Sequence, residues 1–179
     1  PNVHFKILNN STKKSIHIVK EGNVDFAVVS APFQIEKPLK KITLRKYHDI
    51  LISGKRYREL KGKQLSIRQL SKYPWISLTS EAITRKFLNQ YFEKNGLKFE
   101  PDIELATTDM ILPAVRHNLG IGFIPPEFAT DDLDSEEIFE IHVQETFPER
   151  NITLIYDTEY PQSIAAKEFL KFLNDTTTL

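Results

Sequence analysis

The sequence lacks cysteine altogether, and this absence excludes disulfides, thiolate catalysis and cysteine-based zinc sites within its 179 residues. It also lacks any run of about 18 apolar residues, so it predicts no membrane-spanning helix. Only six glycines are present, and none belongs to a Gly-x-Ser-x-Gly elbow, the motif that carries an α/β-hydrolase nucleophile. The remaining composition is that of a globular protein, long enough for one large domain or two small ones.

The sequence offers little that could hold a metal ion or a cofactor. Its five histidines never fall at a ligand spacing such as His-x-x-x-His. Gly120-Ile121-Gly122 resembles part of a dinucleotide-binding motif, but it follows a predicted helix and Pro125 occupies the third glycine position. The acidic segment 131–136 lacks the central glycine of a calcium loop. We therefore expect no catalytic residue, no metal site and no cofactor.

Strand and helix patterns alternate along the chain, which favours an α/β fold with mostly parallel sheets. The predicted strands are Val3–Leu8, Val24–Val29, Ile42–Leu44, Asp49–Ser53, Trp75–Leu78, Ile103–Ala106, Ile121–Ile124, Ile138–Val143 and Asn151–Tyr156. The strand at 24–29 is expected to be buried on both faces, and the strand at 138–143 to lie at a sheet edge. Helices are predicted after Asn10–Thr12, from Ser66 to Leu70, through Phe87 to Asn95, and from Ser163 to Leu173.

One segment, residues 107–126, combines the features of a binding site. Thr107-Thr108-Asp109 is typical of a helix start. Apolar residues then recur at helical spacing from Ile111 to Leu119, and Gly120 is the expected left-handed cap. A short apolar strand follows and stops at two prolines. A strand end, a polar helix start and a tight return can together turn backbone N–H groups toward a ligand, which indicates binding rather than chemistry.

Small hydroxyl residues recur just after predicted strands or at predicted helix starts. The candidate ligand-binding residues among them are Thr12, Ser30, Thr79, Ser80, Thr107 and Thr108. Taken singly, each is more often a helix cap or a turn former. Taken together they indicate a site, because ligands of open α/β sheets bind at the carboxyl ends of the strands. Hydroxyls without an adjacent base can bind a small polar molecule but do not readily catalyse.

The charges are unevenly distributed although the formal net charge is zero. Two segments, 54–64 and 148–150, are predicted linkers because they are polar and carry little periodicity. Residues 1–60 with 150–179 carry 15 Lys and Arg against 9 Asp and Glu, whereas residues 61–149 carry 9 against 15. The two parts therefore have charges of +6 and −6, an asymmetry that indicates a partner or a second copy of the chain.

Five motifs stand in a fixed order along the chain. They are Val3-x-Phe5 before Asn10-Ser11-Thr12, the segment 21–28, Leu65–Leu70 before Tyr73-Pro74, the helix before Gly120–Pro125, and Arg150-x-Ile152-x-Leu154 with the final helix. In this order and spacing they resemble signatures of LysR-type transcriptional regulators, and the resemblance covers nearly the whole chain.

The resemblance implies an α/β fold like that of type 2 periplasmic binding proteins, with two Rossmann-like subdomains and a ligand cleft between them. Subdomain I would comprise residues 1–60 plus 150–179, and subdomain II residues 61–149. Thr12 and Ser30 would face Thr79, Ser80, Thr107 and Thr108 across the cleft. The family's winged helix-turn-helix, and the first strand and helix of subdomain I, have no counterpart in the chain.

The resemblance also implies a function: a non-enzymatic sensor of a small polar or anionic metabolite that controls DNA binding and transcription. Such a domain would be cytoplasmic, would pair side by side in an antiparallel homodimer and would form a tetramer at full length. It would contact DNA only through the N-terminal domain, and no membrane. The alternative from another class is a solute-binding receptor of a transporter, which shares the fold. An enzyme on this fold would need an acid/base pair in the cleft, and the sequence shows none.

Overall fold

The computed structural model describes residues 3–177 and divides the chain into two compact units. Unit 1 comprises residues 1–46 and 151–179, and unit 2 comprises residues 47–150. The chain therefore passes from one unit to the other twice, at 46–47 and at 150–151. Residues 47–60 belong to unit 2, although the sequence pattern grouped them with the N-terminal part.

Six α-helices and nine strands are described. The helices are α1 (Thr12–Lys20), α2 (Ile67–Leu70), α3 (Ile83–Lys94), α4 (Ile111–Arg116), α5 (Thr130–Asp134) and α6 (Ile164–Thr177). The strands are β1 (Phe26–Ser30), β2 (Leu39–Tyr47), β3 (Ile50–Gly54), β4 (Gln64–Leu65), β5 (Trp75–Leu78), β6 (Ile103–Leu105), β7 (Ile121–Ile124), β8 (Ile138–Val143) and β9 (Arg150–Asp157). Three short 3-10 segments lie at Lys55–Leu60, Thr108–Met110 and Pro126–Phe128.

Unit 1 is built on a three-stranded sheet in the order β1-β9-β2. β1 and β9 are antiparallel, with Val28 opposite Leu154. Val19 of α1 packs with Val29, Leu39 and Ile155 of the sheet to form the core of this unit. The predicted β1 strand is confirmed, but it is not buried on both faces, because Val28 is 53% exposed.

Unit 2 contains a six-stranded sheet in the order β4-β8-β3-β7-β5-β6. β5 is parallel to both β6 and β7, as crossovers through α3 and α4 require. β3 is antiparallel to both of its neighbours, β7 and β8. The prediction of mostly parallel sheets is therefore wrong, since the sheets are mixed. The prediction of an edge position for β8 is also wrong, because β8 lies between β4 and β3.

The two faces of the unit 2 sheet are covered by different cores. One core is aromatic, and Trp75 stacks there on Phe123 with ring centroids 5.8 Å apart. The four apolar residues of the predicted amphipathic helix, Phe87, Leu88, Tyr91 and Phe92, lie in or against this core on α3. The other core is aliphatic and holds Ile76 with Ile111 and Val115 of α4. The predicted periodicity therefore marks the buried face of α3 correctly. In the predicted helix from Ile111 to Leu119 it holds for Ile111 and Val115 but not for Leu119, which is 51% exposed.

The return from α4 to β7 differs from the prediction. The helix ends at Arg116, and the left-handed residue is Asn118, with φ of 63°, instead of Gly120. Asparagine tolerates this conformation, and its side-chain Oδ1 accepts the Arg56 N–H at 2.7 Å. Gly120 is required for a different reason: a Cβ there would lie 2.4 Å from the carbonyl oxygen of Pro74.

The predicted strand at Val3–Leu8 is wrong, because the structure shows no regular secondary structure there. Its apolar side chains are exposed, with Phe5 at 82% and Ile7 at 88%. A strand needs a neighbour for its backbone hydrogen bonds, and within residues 3–177 none pairs with this segment.

The predicted linkers and the predicted acidic loop are more ordered than their composition indicates. Tyr57 and Leu60 are buried in the 3-10 segment 55–60, and Arg150 is only 3% exposed. Part of the acidic segment forms α5. Its flank is paired with lysines, since Glu137 contacts Lys55 at 2.6 Å and Glu136 contacts Lys61 at 2.8 Å.

Candidate functional site

The carboxyl ends of β5 and β6 bring four of the predicted hydroxyl residues to one edge of the unit 2 sheet. Leu78 pairs with Leu105 as the last residue of each strand. The backbone N–H of Thr79 then donates to the Leu105 carbonyl at 3.1 Å. Thr79 and Ser80 follow β5, and Thr107 and Thr108 follow β6, so the two pairs leave adjacent strand ends.

These hydroxyls are not used to cap the elements that they precede. Ser11 accepts a hydrogen bond at the start of α1, and Ser66 forms a capping box at the start of α2. Thr107, by contrast, precedes the 3-10 segment 108–110 without a side-chain cap. None of the hydroxyls of the four residues forms a hydrogen bond with another part of the chain that the structure describes.

The start of α3 adds backbone donors to this edge. Its N-cap is Ala82, which has no side chain able to cap. The first N–H groups of an α-helix have no partner within the helix, and the helix dipole favours an anion beside them. α3 has 12 residues, enough for a developed dipole. Thr79 and Ser80 lie just before this N-terminus, so hydroxyls and amide donors share one surface.

Arg85, the positively charged residue nearest in sequence to Thr79 and Ser80, is hydrogen-bonded within unit 2. Arg85, in the first turn of α3, is 7% exposed and donates to Glu104 at 2.6 Å. It also donates to the carbonyl of Leu78 at 3.1 Å. The guanidinium therefore holds β5, β6 and α3 together and is not available to a ligand. The predicted hydroxyls at this edge are neutral, and the exposed acidic residues Glu81 and Asp109 directly follow them in the sequence.

A buried hydroxyl lies on β5 two residues before Thr79. Ser77 is 1% exposed, and its Oγ has no hydrogen-bond partner within the described residues. Ser53 on β3 shares this property and is fully buried. No sequence pattern predicts that the hydroxyls of Ser53 and Ser77 are buried without a hydrogen-bond partner among the described residues.

Unit 1 carries the other two predicted residues. Thr12 is the first residue of α1, directly after the capping Ser11, and Ser30 is the last residue of β1; both are half-buried. A helix joined to a strand by five residues, 21–25, runs back along it, so the α1 start and the β1 end lie at the same end of unit 1. Whether they face the hydroxyls of unit 2 stays a prediction.

A buried ion pair in unit 2 was not predicted. Arg150 donates to Asp49 at 2.5 Å, and both side chains are 2% exposed. The same guanidinium donates to Thr84 Oγ1 at 2.8 Å. Burial raises the pKa of Asp49, and the positive charge of Arg150 acts in the opposite direction. The polar composition around residues 148–150 indicated a linker. The sequence gives no sign that the Arg150 side chain is buried in an ion pair.

An open groove of about 700 Å³ lies elsewhere in unit 2. It is lined mainly by residues at the start of β3 and along and after β8, including His48, His142 and Thr146. None of the six predicted site residues lines it. The groove and the β5–β6 edge are therefore two different surfaces.

The structure supplies no metal cluster in the part of the chain that it describes. No three His, Asp or Glu side chains of residues 3–177 converge on a point where an ion could bind. Likewise, no described helix is both long and apolar enough to cross a bilayer.

An α/β fold with polar residues just after adjacent strand ends is the usual setting of a small-molecule-binding domain. The chain belongs to the LysR substrate binding domain family, whose model matches residues 1–178. It is an effector-binding regulatory domain of the LysR type.

Relatives and solved structures agree with this assignment. The chain is 25% identical over 171 residues to the HTH-type transcriptional regulator YwbI of Bacillus subtilis, covering 96% of the chain and 56% of YwbI. It is 21% identical to YofA of Bacillus velezensis, covering 97% and 57%. The chain thus spans little more than half the length of these regulators.

Among solved structures, the CcmR regulatory domain of Synechocystis in complex with 2-PG has a TM-score of 0.76 at 20% identity, covering 94% of this chain and 80% of that one. The effector-binding domain of QuiR in complex with shikimate has a TM-score of 0.77 at 17% identity, covering 92% and 77%. These structures show the fold, which is periplasmic-binding-protein-like.

Proposed function

We propose that this domain senses a small polar or anionic metabolite, and that the sensing surface includes Thr79, Ser80, Thr107 and Thr108. The observation that carries the proposal is the register of β5 and β6, which brings four uncommitted hydroxyls beside the uncapped start of α3. Neutral donors and a helix N-terminus suit a carboxylate or phosphate group. The complexes of CcmR with 2-PG and of QuiR with shikimate support a small-molecule ligand for this fold.

Thr12 and Ser30 complete the proposed site from unit 1. Their support is their placement at a helix start and a strand end, where ligands of α/β sheets bind. In this proposal units 1 and 2 are the two subdomains of the sensor, and the ligand binds between them. The bound ligand shifts the populations of two arrangements, and the rest of the regulator converts that shift into altered DNA binding.

The proposed assembly is an antiparallel homodimer, which becomes a tetramer in the full-length regulator. Unit 1 carries 11 Lys and Arg against 7 Asp and Glu, and unit 2 carries 13 against 17, so their charges are +4 and −4. A two-fold axis that places unit 1 of one copy against unit 2 of the other pairs opposite charges twice. DNA would be contacted by a separate N-terminal domain, as the relatives are HTH-type regulators. A regulator of this type acts in the cytoplasm, where its DNA is.

The experiment is a thermal-shift screen of the chain against small carboxylates and phosphate esters, beginning with 2-PG and shikimate. A ligand present at about 100 times its Kd adds about 2.7 kcal/mol to the free energy of unfolding, which raises Tm by several degrees. Each compound that raises Tm is then measured by calorimetry. Uncharged apolar compounds of the same size are screened beside them. A result in which only these apolar compounds raise Tm would contradict the proposed ligand class.

Substitution of Thr108 by Val tests the residues themselves. If the hydroxyl binds a buried ligand group, its loss leaves that group unpaired and weakens binding by about 1–3 kcal/mol. Thr130→Val is the matched control, because Thr130 is exposed at the start of α5 and its hydroxyl donates to the Pro126 carbonyl at 3.4 Å. Equal affinity for wild type and Thr108→Val would remove Thr108 from the site.

A further inference from the structure

The chain enters and leaves unit 2 at two points that a single side chain joins. It enters at Tyr47 and leaves at Arg150. Asp49 lies two residues after the entry point, and its carboxylate accepts a hydrogen bond from Arg150 across 101 residues of sequence. Arg150 also lies over the ring of Tyr47 at 5.5 Å. The ion pair therefore ties the incoming chain to the outgoing chain.

The same guanidinium also contacts the first turns of α3. It donates to Thr84 Oγ1 at 2.8 Å, and it lies 4.9 Å from the ring centre of Phe87, one turn further along. Thr84 is the second residue of α3, whose N-terminus borders Thr79 and Ser80. One buried side chain thus connects the start of α3 with both chain passages.

We propose that Arg150 is a positioning residue that couples the start of α3 to the two passages between the units. This inference rests on the proposed function, because it assigns regulation to the surface at the start of α3. A ligand that draws the first turn of α3 toward itself moves Thr84 and with it the guanidinium. Since the guanidinium also holds Asp49, both passages then move together.

The geometry of arginine suits this role. A planar guanidinium offers several fixed donors, so it can bond Asp49 through Nη1 and Thr84 through Nη2 at once. Thr84 is thus a second hydrogen-bond partner of the buried guanidinium, beside Asp49. A substitution of Thr84 removes its hydrogen bond to Arg150 and leaves the ion pair with Asp49 in place. The effect on the two passages can therefore be measured separately from loss of the ion pair.

The test is hydrogen exchange of the ligand-free chain, followed by mass spectrometry, in Thr84→Val and Thr84→Ser. Valine removes the hydroxyl and keeps the shape, whereas serine keeps the hydroxyl. Coupling predicts that Thr84→Val speeds exchange about fivefold or more in peptides covering 46–50 and 149–152, because one hydrogen bond that opposes local opening is lost. Thr84→Ser should exchange like wild type in these peptides.

The matched control is Thr158→Val, which removes a threonine hydrogen bond of the same 2.8 Å length, to the Pro38 carbonyl. It should leave exchange at both passages unchanged. Unaltered exchange at the passages in Thr84→Val would overturn the inference, and so would a uniform increase along the whole chain, which reports only lost stability. Because no ligand is used, this outcome is independent of the calorimetry that tests the proposed function.

Discussion

The backbone N–H of Thr79 donates to the carbonyl of Leu105, one residue beyond the last strand residue of β5. This bond extends the pairing of β5 and β6 past the regular strands. It fixes the backbone from which the Thr79–Ser80 pair and the Thr107–Thr108 pair leave the sheet. The candidate site is therefore positioned by two paired strands even though its residues lie just beyond the strand ends.

Breaking the buried pair of Asp49 and Arg150 should destabilise the protein strongly. Asp49→Asn or Arg150→Met leaves one charge buried without its partner, and such changes cost about 3–5 kcal/mol. The double substitution should cost less than the sum of the two, because it leaves no unpaired charge. Urea denaturation of the four proteins measures this. Additive effects would show that the two side chains do not depend on each other.

Replacement of Ser77 by Ala should leave the free protein as stable as the wild type or slightly more stable. Among the described residues the buried Oγ has no hydrogen-bond partner to lose, and removal of an unsatisfied polar group relieves its desolvation cost of about 1–3 kcal/mol. Ser53→Ala is the matched control, since Ser53 is equally buried and its Oγ also lacks a partner. Both should behave alike in thermal denaturation. A loss of stability in Ser77→Ala alone would reveal a partner for that hydroxyl.

Association of the chain should weaken as salt concentration rises. In the proposed antiparallel dimer the charges of +4 and −4 would attract each other, and salt screens exposed charges over a Debye length of about 8–10 Å at physiological ionic strength. Sedimentation velocity at low and high salt gives the dimer dissociation constant directly. Tighter association at high salt would contradict the electrostatic pairing, since it would indicate an interface dominated by apolar burial.

Much of the fold follows from local pattern. The capping box at Ser66 and the apolar periodicity of α3 both lie where short-range chemistry decides the structure. The sequence pattern fails to predict local structure where a contact with a residue distant in the sequence determines it. Asn118 adopts the left-handed conformation because it bonds Arg56, and Gly120 is needed because Pro74 lies against it. Neither neighbour is close in sequence.

The candidate site likewise has a part that could be predicted from local sequence and a part that could not. Strand ends and helix starts could be read from the sequence, so the hydroxyls at 79–80 and 107–108 could be proposed as neighbours. The burial of Arg150 could not, because the polar residues around it are typical of a linker. An ion pair that spans 101 residues leaves no periodic signal.

The most direct test of the sensing surface is a two-dimensional amide NMR titration of the chain with the tightest compound from the screen. We expect the largest chemical-shift changes at the first amides of α3, Ile83–Arg85, and at Thr107 and Thr108. Changes confined to the groove residues His142, Gln144 and Thr146, with the start of α3 unaffected, would contradict it.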